Sequence, residues 1–534
     1  MLLFWIIQLL SVFRDYGVLQ FECYTDIVQD LRNSCSLCLI FMSQKHRSIT
    51  HSSLINLTAL VVPLLLALIT IPIYLRLIGE VRYGFLTIAW LLLGYFGLFD
   101  FGLGKAAAQR LAQLHDASHV QRQEVFWTAA IMSVSLGAIG AVALFFSADW
   151  LFTDVLELNQ PLLSEAQAAV PWLAIALPLT TGISMLAGSL QARQAFFTLA
   201  VGQVTGQAMS LILPLVAAAF GFVEIHYLIP ATIIGQMIGG LGLVIGCAYH
   251  LPLSSCLRWS TSHARGLLKY GGWIAVSGIV GPLMTVIDRF VLGARLDMTA
   301  VTTYTVPYQI VTRISLLPNS LVAALFPKLS MQEADAARTL MNHALKAITV
   351  TVTPLVVLTL LLLEPFLSAW VGPDLSARAT PVGEVLLLGV WINAIAYIPL
   401  TFLQARGRPD IPAKFHLLEI GPYIAILWLL TDSYGTIGAA IAWSLRVTVD
   451  TLLLFIAVKR DWQYMSYFTQ AATLVILAAM LLYFDSSWEM QVYGGIFLVV
   501  LALLWSIRHA PAELWTLLSR LPLLGHLRFL RNHE

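Results

Sequence analysis

Apolar runs of about twenty residues recur along almost the whole of this 534-residue chain, and they leave very few folds open to it. A helix of that length crosses a hydrocarbon core of about 30 Å. Hydropathy places about fourteen such spans, at residues 54–76, 83–104, 125–146, 168–190, 196–219, 225–249, 271–293, 301–326, 345–368, 383–404, 414–431, 436–458, 464–484 and 490–507. The composition agrees, with 59% apolar and 11% charged residues against roughly 45–50% and 25% in an ordinary soluble chain. Unpaired backbone groups are not tolerated in lipid, so each run is expected to be a helix. The prolines inside them (Pro63, Pro72, Pro178, Pro214, Pro282, Pro307, Pro318, Pro354, Pro399 and Pro422) should kink these helices rather than end them. The fold class expected is an all-α polytopic membrane protein.

Lysine and arginine set the orientation. With the N-terminus inside, twenty-one basic residues collect in the inner loops and tail, from Lys45 and Arg47 to Arg528 and Arg531. The outer loops hold Arg76, Arg82, Arg295 and Arg378 together with acids such as Asp149, Glu165, Asp374 and Asp432. The expectation is an inner (plasma) membrane location with both termini cytoplasmic. The net charge of +1 is spread as short clusters between spans, and no nucleic-acid partner is expected.

Residues 1–48 read differently from the rest. Met1–Phe13 is too short to span and lacks the basic start and small-residue cleavage site of a secretory signal. Met42, followed by a basic stretch, looks like a natural start, so residues 1–48 are expected to be an extension, mis-assigned or disordered. Residues 49–250 would then form an N-terminal six-helix lobe, 251–270 a cytoplasmic linker, 271–460 a second six-helix lobe, 461–508 two additional helices and 509–534 a basic cytoplasmic tail. Weak internal similarity supports the two lobes: Ile71–Gly84 and Ile287–Tyr304 each carry an apolar helix end, a short charged outer loop and a tyrosine opening the next helix.

Several patterns lead nowhere. Cys35-x-x-Cys38 has no second pair, so it and Cys23, Cys247 and Cys256 are expected to be free thiols. Gly102-x-Gly104-x-x-Ala107 follows no strand, and there is no phosphate-loop motif for an ATPase. Gly202-x-x-x-Gly206, Gly235-x-x-x-Gly239 and Gly242-x-x-x-Gly246 read as close helix contacts. No zinc or catalytic-triad spacing appears, and neither a cofactor nor an enzymatic reaction is expected.

Three segments resemble the polysaccharide-transport branch of the multidrug/oligosaccharidyl-lipid/polysaccharide exporter superfamily, the O-antigen (Wzx-like) flippases in particular. They are Pro72–Gly79 with Tyr83, Gly84 and Asp100–Ala106; Asp288–Gly293 with Tyr304; and Gln404–Arg408 with Glu419 and Gly435–Arg446. The resemblance covers about residues 58–446, twelve spans. It implies two six-helix lobes set in a V around a central cavity. Spans thirteen and fourteen resemble the extra pair of lipid II flippases.

Ionisable residues at membrane depth are costly unless they face water or a partner, and Asp100, Asp288, Arg289, Arg313, Glu419, Arg446 and Asp450 stand there. Guanidinium forks grip phosphate at two points. Arg289, Arg313 and Arg446 are therefore candidates to hold a diphosphate head group, with Lys105 meeting it at the cytoplasmic mouth. The same residues also read as structural, with Asp288 neutralising Arg289, and Arg446 neutralising Asp450 at i,i+4. Asp100, Asp288, Glu419 and Asp450 are candidates for ion coupling or for anchoring helices. His416 and Glu419 at i,i+3 suit either a proton relay or plain core contact. The expected function is translocation of an undecaprenyl-diphosphate oligosaccharide for surface polysaccharide synthesis. Its partners would be membrane lipids and the polymerase and chain-length proteins. The alternatives are a lipid II flippase and a multidrug or cation antiporter of the same superfamily. A membrane glycosyltransferase needs a larger outer loop than 147–167.

Overall fold

The computed structural model describes residues 49–96, 102–114, 118–251, 257–458, 463–483 and 488–511. The proposed extension 1–48, Asp100 and most of the basic tail lie outside these residues. Among the described residues regular structure is helical throughout: α1 Ile49–Phe96, α2 Leu103–Gln113, α3 His119–Trp150, α4 Leu162–Ala192, α5 Phe196–Ala219, α6 Ile225–His250, α7 Thr261–Arg295, α8 Met298–Val311, α9 Leu316–Met331, α10 Ala334–Val371, α11 Pro373–Ala405, α12 Asp410–Ala457, α13 Gln463–Tyr483 and α14 Trp488–His509. Nine helical stretches among the described residues are long and apolar enough to cross a membrane. The chain is an all-α, multi-pass membrane protein.

Two of these helices hold two expected spans each. In α12, Gly435 leaves helical geometry at φ 60, ψ −136, a conformation that costs a side-chain-bearing residue strain. The chain turns back there. His416 faces Asp450, Tyr423 faces Arg446 and Leu430 abuts Gly438, so the two limbs of α12 run antiparallel. Gly79, at φ 76, does the same in α1, where the Tyr74 and Trp90 rings meet at 5.4 Å. The eighth expected span is interrupted by a 3-10 turn, Thr312–Ser315. Pro318 offers no N–H to the Ile314 carbonyl, which explains the local tightening.

The described residues fall into two compact units, 49–82 with 88–279 and 83–87 with 280–511. The division falls inside α7, beyond the 251–270 stretch expected to link two lobes. In the first unit α5 and α6 touch backbone to backbone, because Gly202, Gly206, Gly235 and Gly239 carry no Cβ to hold them apart. Arg82 grips Glu165 with its Nε 3.0 and 3.1 Å from the two oxygens, and Glu165 also accepts from the Ile225 amide at 3.0 Å. One helix end, one turn and one helix N-terminus are thereby fixed together.

In the second unit α12 lies along α11: Ser444 Oγ donates to the Val385 carbonyl at 3.0 Å, and Gly389 makes room for Trp443. The two C-terminal helices are part of this unit. Ser506 Oγ of α14 donates to the Val350 carbonyl of α10 at 2.8 Å, and Phe468 of α13 stacks on Trp391 of α11 at 5.2 Å. Large apolar side chains such as Leu418, Leu429 and Ile456 point outward from α12, as lipid-facing residues do.

Candidate functional site

A reversal of two residues, Leu296 and Asp297, joins α7 to α8, and the Asp297 side chain caps the new helix by accepting from the Ala300 amide at 2.6 Å. This hairpin sets Asp288 and Arg289 opposite Tyr304 and Tyr308. Arg289 lies six residues from the end of α7, about 9 Å into the unit. At the same end Arg295 holds Asp432 of α12 through two contacts of 2.7 and 2.5 Å, which locks the α7–α8 turn beside the α12 turn.

Asp288 is fully buried and its oxygens are well matched. Oδ1 accepts from the Arg289 amide at 2.8 Å and from its guanidinium at 2.9 Å, and Oδ2 accepts from the Tyr304 hydroxyl at 2.6 Å. The Arg289 guanidinium also lies 3.8 Å over the Tyr308 ring and 5.3 Å from that of Tyr304, a desolvated cation–π arrangement. Tyr308 in turn meets Trp443 edge-on at 6.1 Å. Here two charges are folded into a neutral, aromatic-walled pair.

Arg446 is placed differently. It stands eleven residues past Gly435 on the second limb of α12, about 16 Å down and so near the middle of a hydrocarbon core of about 30 Å. Its guanidinium is 5.8 Å from the Tyr423 ring, Nη1 is 3.9 Å from the Met284 sulfur, and buried Nε has no hydrogen-bond partner in the protein. The i,i+4 pairing with Asp450 expected from the sequence is not formed. The Asp450 carboxylate instead stands 3.8 Å from His416 of the facing limb. The antiparallel register brings 416 to 450, whereas on one helix the side chains of 446 and 450 rise in the same direction and need not converge. His416 thus couples across the hairpin, rather than along its own helix to Glu419. Glu419 is buried with neither oxygen hydrogen-bonded.

Within the second unit, Arg313 is not brought to this cluster. Arg313 sits exposed on the 3-10 turn, its Nε donating to the Gln309 carbonyl at 3.2 Å. Lys105 is exposed on α2 in the first unit. Asp100 lies outside the described residues. Sequence reasoning passed over Tyr308, Tyr423 and Trp443, the aromatic walls. The i,i+4 spacing of Tyr304 and Tyr308, counted back across a two-residue turn onto Arg289, was the signal available. Among the described residues no group of three His, Cys, Asp or Glu side chains could hold a metal ion.

A profile of the family described as polysaccharide biosynthesis protein matches residues 49–333, more than half of the chain. The chain belongs to that family. Relatives extend the likeness further along it. A Shigella flexneri protein named as an O-antigen transporter is 28% identical over 411 residues, which is 76% of this chain and 97% of that one. The lipopolysaccharide biosynthesis protein WzxC of Escherichia coli (strain K12) is 21% identical over 74% of this chain and 77% of its own length. The names of both relatives agree with the Wzx-like resemblance read from the chain's motifs. Among solved structures, the lipid II flippase MurJ in an inward closed conformation shares the fold with a TM-score of 0.68, over 85% of this chain and 98% of that one, at 14% identity.

Proposed function

We propose that this protein translocates a lipid-linked oligosaccharide across the inner membrane for surface polysaccharide synthesis, and that Arg446 contacts the phosphates linking sugar to lipid. Family membership supports a part in polysaccharide synthesis and the relatives' names support the transport class, and one observation carries the assignment of the site. Among the described residues, Arg446 is a permanent cation near mid-membrane that no carboxylate pairs and whose only side-chain neighbours are the Met284 sulfur and the Tyr423 ring, whereas the guanidinium of nearby Arg289 is held by Asp288 at 2.9 Å. A guanidinium left with open donors is suited to an anion that arrives and leaves. The substrate would be an undecaprenyl-diphosphate oligosaccharide entering from the cytoplasmic leaflet with its prenyl tail kept in lipid. Polymerase and chain-length proteins would act on the product. Moving one negative charge outward across about 100 mV is worth about 2.3 kcal/mol, so the membrane potential assists export.

Deleting the gene and locating lipid-linked repeat units tests the function: they should accumulate on the cytoplasmic face. Normal surface glycan with lost dye or cation resistance would point instead to an antiporter. For the site, Arg446→Ala should cut export at least tenfold at unchanged protein level, while Arg446→Lys, keeping the charge without the fork, should retain an intermediate rate. Export unchanged in Arg446→Ala removes it from the substrate path.

A further inference from the structure

Glu419 is left unused by the phosphate reading. It is 6% exposed, and neither carboxylate oxygen reaches the surface or finds a hydrogen-bond partner in the protein. It lies nine residues from the start of α12, about 13 Å inside. The charged groups that bear on it are Asp450 and Arg446 of the facing limb. Asp450 Oδ1 lies 3.8 Å from His416 Nε2, without a hydrogen bond. Tyr423, one turn deeper and 2% exposed, presents its ring to Arg446 and has an unpartnered hydroxyl. From α7 and α8, the groups Asp288, Arg289 and Tyr308 act on Tyr423 and not on Glu419. Among the described residues α11, which also lies along α12, contributes no charge to it.

An ionised carboxylate in that position would be a bare charge in an apolar interior, whereas the protonated acid is neutral. Arg446 cannot lose its charge. The contacts of the hairpin put Glu419 opposite residues 447 to 450, so Arg446 lies one to four residues deeper along the facing limb, about 1.5–6 Å along the axis. Two arrangements follow. With Glu419 protonated, Arg446 stays unpaired; with the proton released to water at the near edge of the unit, the carboxylate is drawn onto the guanidinium and closes it off. We infer that Glu419 is a proton-binding site that decides whether Arg446 is open to a phosphate anion. The inference rests on the reading of Arg446 given above. By linkage, protonation and anion binding strengthen each other by the same factor.

The test uses the full-length protein in detergent with farnesyl diphosphate as the probe, titrated between about pH 6 and about pH 8. The affinity of the unaltered protein should fall about tenfold across that range relative to Glu419→Gln, an isosteric neutral variant expected to bind tightly throughout. The comparison with the variant removes the probe's own titration. Infrared spectra of the unliganded protein at about pH 7 should show a protonated-carboxyl carbonyl band that Glu419→Gln lacks. Absence of that band overturns the proposal whether or not the probe binds. Binding that requires Arg446 but has the same pH slope in both proteins also overturns it and leaves the phosphate reading standing. Equal binding by Arg446→Ala overturns both.

Discussion

Asp288 commits both of its oxygens to neighbours, and that decides what Arg289 can do. The pair is buried, hydrogen-bonded three times over and capped by Tyr308. Removing one partner strands a charge, at a cost of about 3–5 kcal/mol, while replacing both with apolar residues of similar size is often close to neutral. Asp288→Ala is therefore expected to lower the Tm in detergent markedly, and Asp288→Leu with Arg289→Met to recover most of the loss. Thermal unfolding of the two proteins side by side checks it. A double variant as unstable as the single one would mean that Arg289 has a task beyond stability. Arg446, by contrast, has no acid within bonding distance, so its removal should change transport far more than Tm.

At the scale of elements, the α12 hairpin positions the cluster, and its geometry depends on glycine at two points. Gly435 supplies the positive φ of the turn, and Gly438 lies so close to Leu430 that a Cβ there would collide with backbone. Gly421, in the same helix, faces open space. Gly438→Ala should then destabilise the folded protein by about 1–3 kcal/mol or prevent its assembly, while Gly421→Ala should fall within about 0.5 kcal/mol of the parent. Folded yield and Tm by fluorescence-detected chromatography separate the two. The hairpin register also explains which sequence readings of the charges failed to form. Spacing along one helix suggested Arg446 with Asp450 and His416 with Glu419, but a hairpin adds a second helix, and His416 meets Asp450 across it.

For the molecule as a whole, the prediction concerns sidedness. The basic loops fall on one side of the spans and the acidic ones on the other when the chain crosses fourteen times. In a protein whose native cysteines are replaced, Ser433→Cys, exposed beside the α12 turn, should react with a membrane-impermeant maleimide in intact cells. Thr261→Cys, exposed at the start of α7, should react only after permeabilisation. Labelling of both in intact cells would contradict an even number of crossings with inner ends.

The solvent and the element type were legible without coordinates. Long apolar runs in a backbone that must satisfy its own hydrogen bonds admit little but helices in lipid, and small-residue repeats in α5 and α6 marked where helices approach. Ionisable residues at depth could be picked out too, because each is expensive wherever it sits. Asp288 could be read as the partner of Arg289 because the two are adjacent, and they do pair; partners on other helices could not be read. Whether Tyr304 completes that pair, Arg446 is left open and Asp450 is set against His416 depends on which residues two turns at Leu296–Asp297 and Gly435 bring face to face. Spacing along a chain fixes neighbours on one helix only; pairing between helices is settled by the register in which they meet.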